Sequence, residues 1–362
     1  LYTTTGTSTH RKVVQDIFLN LYEKGLLSTK VTEHPYCQQD GRFLADRYVE
    51  GTCPLCNNPL ARGDQCELCG KPLSPGDLID WRCRICGKPP LMKDSEHFFL
   101  RLTSFQETLA FWLKQAEGRW RPNVYNFTLG WLNEGLQDRA VTRDITWGIP
   151  TPIPGYEEKC IYVWFEAVIG YLSASIEWAE NSGNIEAWRP FWQDHSSKAY
   201  YFLGKDNIPF HTIIWPSMLM GYGDYQGEKG LGKYNPPYDV PANEYVNMEE
   251  KKISTSRNWV VNLKDYLERY DPDPLRFSLA SIMPETSDSN FSWSEYVRRN
   301  NDELVATYGN LVHRVLSMLH RYFNGTIPNI APLDSIDHDL LSKSDSALCD
   351  VGTHLENCRF RN

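Results

Sequence analysis

Seven of the ten cysteines in this chain fall between Cys37 and Cys86, and the tightest part reads Cys53-Pro-Leu-Cys56, nine residues, then Cys66-Glu-Leu-Cys69. Each Cys-x-x-Cys turn offers two thiolates from one backbone bend. Two such turns enclose a tetrahedral ion and leave no open position, the arrangement of a structural zinc site. A third pair, Cys83-Arg-Ile-Cys86, follows, and Cys37-Gln-Gln-Asp40 precedes, with Asp40 where a fourth thiolate is expected. Carboxylate oxygen also ligates zinc, so Cys37, Asp40, Cys83 and Cys86 form a candidate second site beside Cys53, Cys56, Cys66 and Cys69. A disulfide framework competes with this reading. The two-residue spacing suits metal better, and no secretory leader pattern accompanies it. A shell of four thiolates has no vacancy for water, so the expected role is architectural.

With 362 residues, of which 41% are hydrophobic, 12 are Trp and 20 are Tyr, the chain can bury a proper core and line pockets with aromatic rings. No run of about 18 apolar residues spans a membrane, and a cytoplasmic location is expected. The net charge of −9 leaves a nucleic-acid partner undecided, because charge on one local face governs binding. Asn126-Phe-Thr and Asn324-Gly-Thr match the glycosylation pattern but carry little weight beside metal-type cysteines.

Along the chain, Val13, Val14, Ile17, Phe18, Leu21 and Tyr22 recur at helical spacing behind the caps Thr7-Ser8-Thr9, with Gly25 as the stop. From Cys37 to about Met92 the pattern is rich in Gly, Pro and Cys, as in an inserted, metal-stabilised segment. His97 to Leu102 has strand character, and helices follow through Leu109, Trp112 and Leu113 and from Phe127 to Leu136. Lys159 to Trp164 and Ala199 to Leu203 are apolar and strand-like; each leads to a turn and a helix, the pattern of an open parallel α/β sheet. Lys251-Lys-Ile-Ser-Thr-Ser-Arg257 is a basic, hydroxyl-rich loop of the kind a polyphosphate requires. A long amphipathic helix from Ser292 to Phe323 carries Asn310 and Arg314 four apart on one face, and Leu340 to Asn362 is helical in pattern without a C-cap.

Taken in order, Asp46-Arg-Tyr-Val-Glu-Gly-Thr-Cys-Pro, Gly63-Asp-Gln-Cys, Tyr162-Val-Trp-Phe-Glu-Ala, Gly204-Lys-Asp, Phe210-His211 and Lys252-Ile-Ser-Thr-Ser-Arg resemble the methionyl-tRNA synthetases, class I aminoacyl-tRNA synthetases, over nearly the whole chain. The likeness is to the archaeal and eukaryotic type with paired zinc knuckles. It implies a Rossmann-type parallel sheet split by a zinc-knuckle connective peptide and followed by a helical bundle. The corresponding segments are the end of the first catalytic half (1–29), connective peptide (30–140), second catalytic half (141–240), stem-contact region (241–291) and start of the anticodon-binding bundle (292–362).

The family's His-Ile-Gly-His signature does not occur, so truncation at both ends and incomplete catalysis by this chain alone are expected. Thr255 stands where the family usually has a second lysine. The resemblance implies a phosphate-side group of Lys252, Ser254, Thr255, Ser256 and Arg257, and ATP contacts from Gly204 and Asp206 as well as Lys252 and Thr255. It implies a methionine pocket of Trp164, Ala167, Val168, Tyr171, Asn207, His211 and Trp215. Arg143 would organise substrate, and Asn310 with Arg314 would read the anticodon. The implied ligands are L-methionine, ATP with Mg(2+), tRNA(Met) and one zinc ion or two, with dimerisation through a C-terminal region outside this chain. Two other readings remain: a class I synthetase for another amino acid, and a zinc-bearing tRNA-binding protein without catalysis.

Overall fold

The computed structural model describes residues 2–45, 48–63, 66, 73, 75–225, 232–255, 258–329 and 331–361. Two compact units emerge: Leu1–Glu117, Asn126–Tyr200 and Pro209–Asp239 make the first, and Gly118–Tyr125, Tyr201–Ile208 and Val240–Asn362 the second.

In the first unit, helix α1 (Ser8–Glu23) begins where the Thr7 hydroxyl accepts from the His10 amide, and the chain leaves it through Gly25 at φ +69. Its apolar stripe, Val14, Ile17, Phe18 and Leu21, is buried. β1 (Leu27–Cys37) then leads into the short strands β2 (Arg42–Phe43), β3 (Val49–Thr52), β4 (Ala61–Arg62) and β5 (Ile79–Cys83), and β6 (Leu91–Leu100) returns. β1 and β6 pair antiparallel from Leu27↔Leu100 to Tyr36↔Leu91, so the cysteine-rich segment is carried on a long two-strand arm. Within it, β3 lies between β4 and β5. A Cβ on Gly51 would meet the Ile79 carbonyl oxygen at 2.8 Å, which is why β3 needs glycine there.

Helices α2 (Gln106–Lys114) and α3 (Pro122–Glu134) follow, then β7 (Arg139–Ala140), β8 (Thr142–Arg143) and β9 (Cys160–Ile161), α4 (Val163–Asn181), α5 (Arg189–Gln193) and α6 (Trp215–Tyr222). β9 is antiparallel to β8, and the strand expected to reach Trp164 ends two residues into its apolar run. Helix takes over because Phe165, Val168, Ile169 and Leu172 recur at helical spacing and are all buried, which sets Trp164 in the first turn of α4. Phe18 joins these layers, meeting Phe98 and Phe165 edge-on with centroids 5.4 and 6.0 Å away.

The second unit pairs β10 (Leu203–Gly204) in parallel with β11 (Ala242–Asn243). In its other sheet, β12 (Val246–Met248) is antiparallel to β13 (Lys251–Lys252) and parallel to β14 (Ser289–Phe291). The two residues of the β12–β13 turn, Glu249 and Glu250, both have positive φ, +48 and +62, a tight hairpin turn that normally selects Asn-Gly. Helices α7 (Leu263–Leu267), α8 (Pro272–Ser281) and α9 (Trp293–Arg298) come next. α9 runs through a π-helical segment, Arg299–Gly309, into α10 (Asn310–Phe323), and α11 (Ser335–Glu356) opens on an Asp334 capping box. The sheets are therefore mixed, and their described strands are shorter than the apolar runs suggest. Among the described residues no helix is long and apolar enough to cross a membrane.

Candidate functional site

The cysteines gather into two groups. Cys53, Cys56 and Cys66 form one, and Cys37, Asp40, Cys83 and Cys86 the other; within each, the candidate ligand atoms lie within 4.8 Å of one another. Cys69, expected to complete the first, is outside the described residues. Both groups rest on the same turn. The Cys53 amide bonds to the Asn58 carbonyl and the Cys83 amide to that of Lys88 (2.9 and 2.8 Å), while the amides of Asn57 and Gly87, both at positive φ, bond back to the cysteine carbonyls. The Leu55 amide donates to Cys53 Sγ and the Ile85 amide to Cys83 Sγ, each at 3.4 Å, as suits a thiolate. Cys37 and Cys86 sulfurs are 3.4 Å apart, and Cys83 Sγ lies 3.2 Å from Asp40 Oδ2. Burial, then the Asp40 carboxylate, push the Cys37 thiol up to about 12. Four acidic groups this close do not all ionise without a cation between them, and the donor set fits a divalent metal.

A cavity of about 500 Å³ in the first unit is lined by Trp131, Arg139, Arg143, Tyr162, Trp164 and Phe210, among others. Trp164 stacks on Phe210, centroids 4.7 Å apart and planes 17° from parallel. Two turns along α4, the Tyr171 hydroxyl lies 2.8 Å from Nε2 of the buried His211. Trp215 is fully buried and meets Trp192 edge-on; Val168 is also in the core, and Ala167 is half-buried. Of the residues expected at a methionine pocket, the structure thus joins Tyr171 to His211 and puts Trp164 on the cavity wall. Phe210 was given no role by the sequence reading beyond its place beside His211.

Arg143 holds its guanidinium 3.9 Å over the Tyr162 ring and donates to its neighbour's carbonyl, Thr142 O, at 2.8 Å. Asp144, next in sequence, accepts from Ser95 Oγ (2.6 Å), Lys159 Nζ (2.5 Å) and His97 Nε2 (3.0 Å). Burial pushes the Asp144 carboxyl up, but these three donors outweigh it and hold the group well below the usual carboxylate range. His34 packs edge-on to His97, ring centroids 4.6 Å apart, and burial together with the His97, Arg143 and Lys159 charges lowers it to about 4. The knot is invisible to motif reading because its members come from β1, β6, the end of β8 with the residue after it, and the residue before β9.

In the second unit, Gly204 ends β10, and Asp206 and Asn207 lie in the helical turn that follows it. Lys205 Nζ reaches Glu244 Oε2 (2.5 Å) and Asp288 Oδ1 (3.3 Å). Lys252 ends β13 exposed, with Ser254 bridged to Trp259 and Thr255 beyond it; Ser256 and Arg257 lie outside the described residues. Asn310 and Arg314 are exposed on α10.

The family model described as tRNA synthetases class I (M) matches residues 1–316, and the chain belongs to that family. It is 53% identical over 352 residues to the methionine–tRNA ligase of Thermomicrobium roseum, covering 97% of this chain and 59% of that protein. Against the methionine–tRNA ligase of Dehalococcoides mccartyi (strain CBDB1) it is 53% identical over 360 residues, 99% of this chain and 63% of the relative. Against that of Chloroflexus aggregans it is 49% identical over 371 residues, covering 99% and 61%. The chain thus spans about three fifths of the length of these curated relatives. The structure of Mycobacterium tuberculosis methionyl-tRNA synthetase bound by methionyl-adenylate superposes with a TM-score of 0.70 at 20% identity, covering 100% of this chain and 63% of that one. That similarity establishes the class I α/β fold.

Proposed function

We propose that the protein containing this chain is a methionine–tRNA ligase. Methionine carboxylate attacks the α-phosphate of MgATP in line, pyrophosphate leaves, and the terminal ribose hydroxyl of tRNA(Met) then takes the methionyl group. Little side-chain acid-base chemistry is needed. The residues position reactants and stabilise phosphate charge, which suits a site of backbone donors, hydroxyls and cations.

The Tyr171–His211 pair, two turns of α4 from Trp164 of the Trp164–Phe210 stack, is the observation that carries this reading. Aromatic faces favour a thioether, and a phenol or imidazole N–H can donate to its sulfur. Trp164, Ala167, Val168, Tyr171, Asn207, His211 and Trp215 are the proposed methionine residues, with Arg143 orienting the carboxylate that organises substrate. Gly204, Asp206, Lys252 and Thr255 are proposed for ATP, with Ser254, Ser256 and Arg257 completing the phosphate-side loop. Asn310 and Arg314 would contact unstacked anticodon bases, the helices of residues 292–362 forming part of a bundle, and the cytoplasm is the proposed location.

Zinc is the proposed occupant of both cysteine groups: Cys53, Cys56, Cys66 and Cys69 hold one ion and Cys37, Asp40, Cys83 and Cys86 the other. Bound zinc would fix the turns of the arm and take no part in the chemistry.

Methionine and norleucine differ by sulfur against methylene, so their binding tests the pocket directly. Tryptophan fluorescence titration of the complete gene product is expected to favour methionine, with Tyr171→Phe reducing that preference about fivefold. Equal binding of the two amino acids by the unaltered protein would remove the sulfur-reading pocket.

A further inference from the structure

Tyr245 has no part in the reaction as read above, yet it touches both charged pieces of the second unit. Its hydroxyl donates to Asp206 Oδ2, and its ring lies 4.4 Å from Lys205 Nζ and 5.4 Å from Lys252 Nζ. Burial, then the Asp206 carboxylate, push the phenol up to about 12, which keeps it a proton donor near neutral pH.

The backbone fixes this arrangement. The Tyr245 amide donates to Asp288 Oδ1 at 3.0 Å, and the Lys205–Glu244 ion pair is extended by Asn123 Nδ2, 3.0 Å from Glu244 Oε1. Two residues earlier, the buried Arg121 guanidinium holds Ala242 O and Asn243 Oδ1 at 3.0 and 2.8 Å. Tyr245 stands immediately before β12, and the hairpin register Asn247↔Lys252 brings Lys252 back toward it. The adjacent Lys251 goes elsewhere, 5.1 Å over the Trp259 ring. One hairpin therefore sorts two neighbouring lysines onto two different rings.

We propose that Tyr245 is a positioning residue for amino-acid activation: its hydroxyl sets the Asp206 carboxylate, its ring sets the Lys252 ammonium, and Lys252 rather than Lys251 is the loop lysine presented to the nucleotide phosphates. This role rests on the methionine-ligase reading. Phenylalanine in place of Tyr245 keeps the ring and removes only the Asp206 contact, whereas leucine removes both.

The test uses the complete gene product and its Tyr245→Phe and Tyr245→Leu variants, checked for equal thermal midpoints. Methionine-dependent exchange of pyrophosphate into ATP gives the kinetics, and limited trypsin cleavage after Lys251 and Lys252 without substrates reads the loop. Tyr245→Phe is expected to raise KM for ATP about tenfold, with KM for methionine and kcat within about twofold and cleavage unchanged. Tyr245→Leu is expected to lower kcat as well, by about tenfold, and to speed cleavage of the loop. If the unaltered enzyme exchanges normally and Tyr245→Phe matches it, or if KM for methionine moves with KM for ATP, the positioning role is overturned. Unchanged cleavage in Tyr245→Leu overturns the Lys252 contact. An unaltered protein with no methionine-dependent exchange overturns the functional reading instead.

Discussion

The two cysteine groups use the same turn and differ in how far the chain travels to close them. Cys56 and Cys66 are 10 residues apart, whereas Cys37 and Cys86 are 49 apart and the whole first group lies between them. Holding the longer loop closed restrains about 1.4 kcal/mol more chain entropy, which drives the loop apart once the ion that closes it is lost. The second group includes the last residues of β1, one strand of the arm, and of β5 in the sheet it carries, so with a metal bound it would act as an outer clasp and the first group as a local knuckle.

Breaking the outer clasp should therefore cost more than breaking the knuckle. Cys83→Ser and Cys53→Ser are each expected to release one zinc per chain. Denaturant titration should find Cys83→Ser less stable by about 1–2 kcal/mol beyond the loss in Cys53→Ser. Equal losses would mean that the arm does not depend on long-range closure.

Acid should loosen the strand that leads to the outer clasp. The folded-state pKa of His34, about 4, is below its ordinary 6.5, so the folded protein binds fewer protons in that window. Its contribution is present above pH 6.5 and is lost as pH falls toward 4. Asp144, also depressed, adds a loss that sets in at still lower pH as its carboxyl protonates. Thermal melts between pH 4 and 7 should show a smaller acid-dependent decline in His34→Gln than in the unaltered protein, and identical declines would refute this assignment.

The smallest effect compares one position in the two turns. Asn57 and Gly87 both take left-handed backbone, φ +57 and +73. Gly87→Ala should destabilise the arm by about 1 kcal/mol, while Asn57→Gly should change it by only a few tenths, since Asn tolerates that region. A larger change at Asn57 would show that its side chain does more than permit the turn.

What the sequence reveals follows from how local each feature is. The Thr7 cap, the Val14 to Leu21 stripe and the Cys-x-x-Cys pairs are set within one turn of chain and can be read directly. Asp40 beside Cys83 is legible from spacing because the ligand chemistry restricts the choices. By contrast, β1 is written Leu-Ser-Thr-Lys-Val-Thr-Glu-His, too polar to announce an eleven-residue strand, and it exists through its register with β6. The Asp144 knot and the Tyr245 contacts were hidden for the same reason: their partners are brought together by folding, across 49 residues for Ser95 and 39 for Asp206. Trp164 shows the opposite failure, where an apolar run suited both strand and helix and burial spacing decided for helix.

The most direct test of the functional account is amino-acid-dependent exchange of pyrophosphate into ATP by the complete gene product, assayed with each of the twenty amino acids. Exchange with methionine alone is the predicted result. Exchange with a different amino acid, or none from a folded, zinc-loaded protein, would contradict it.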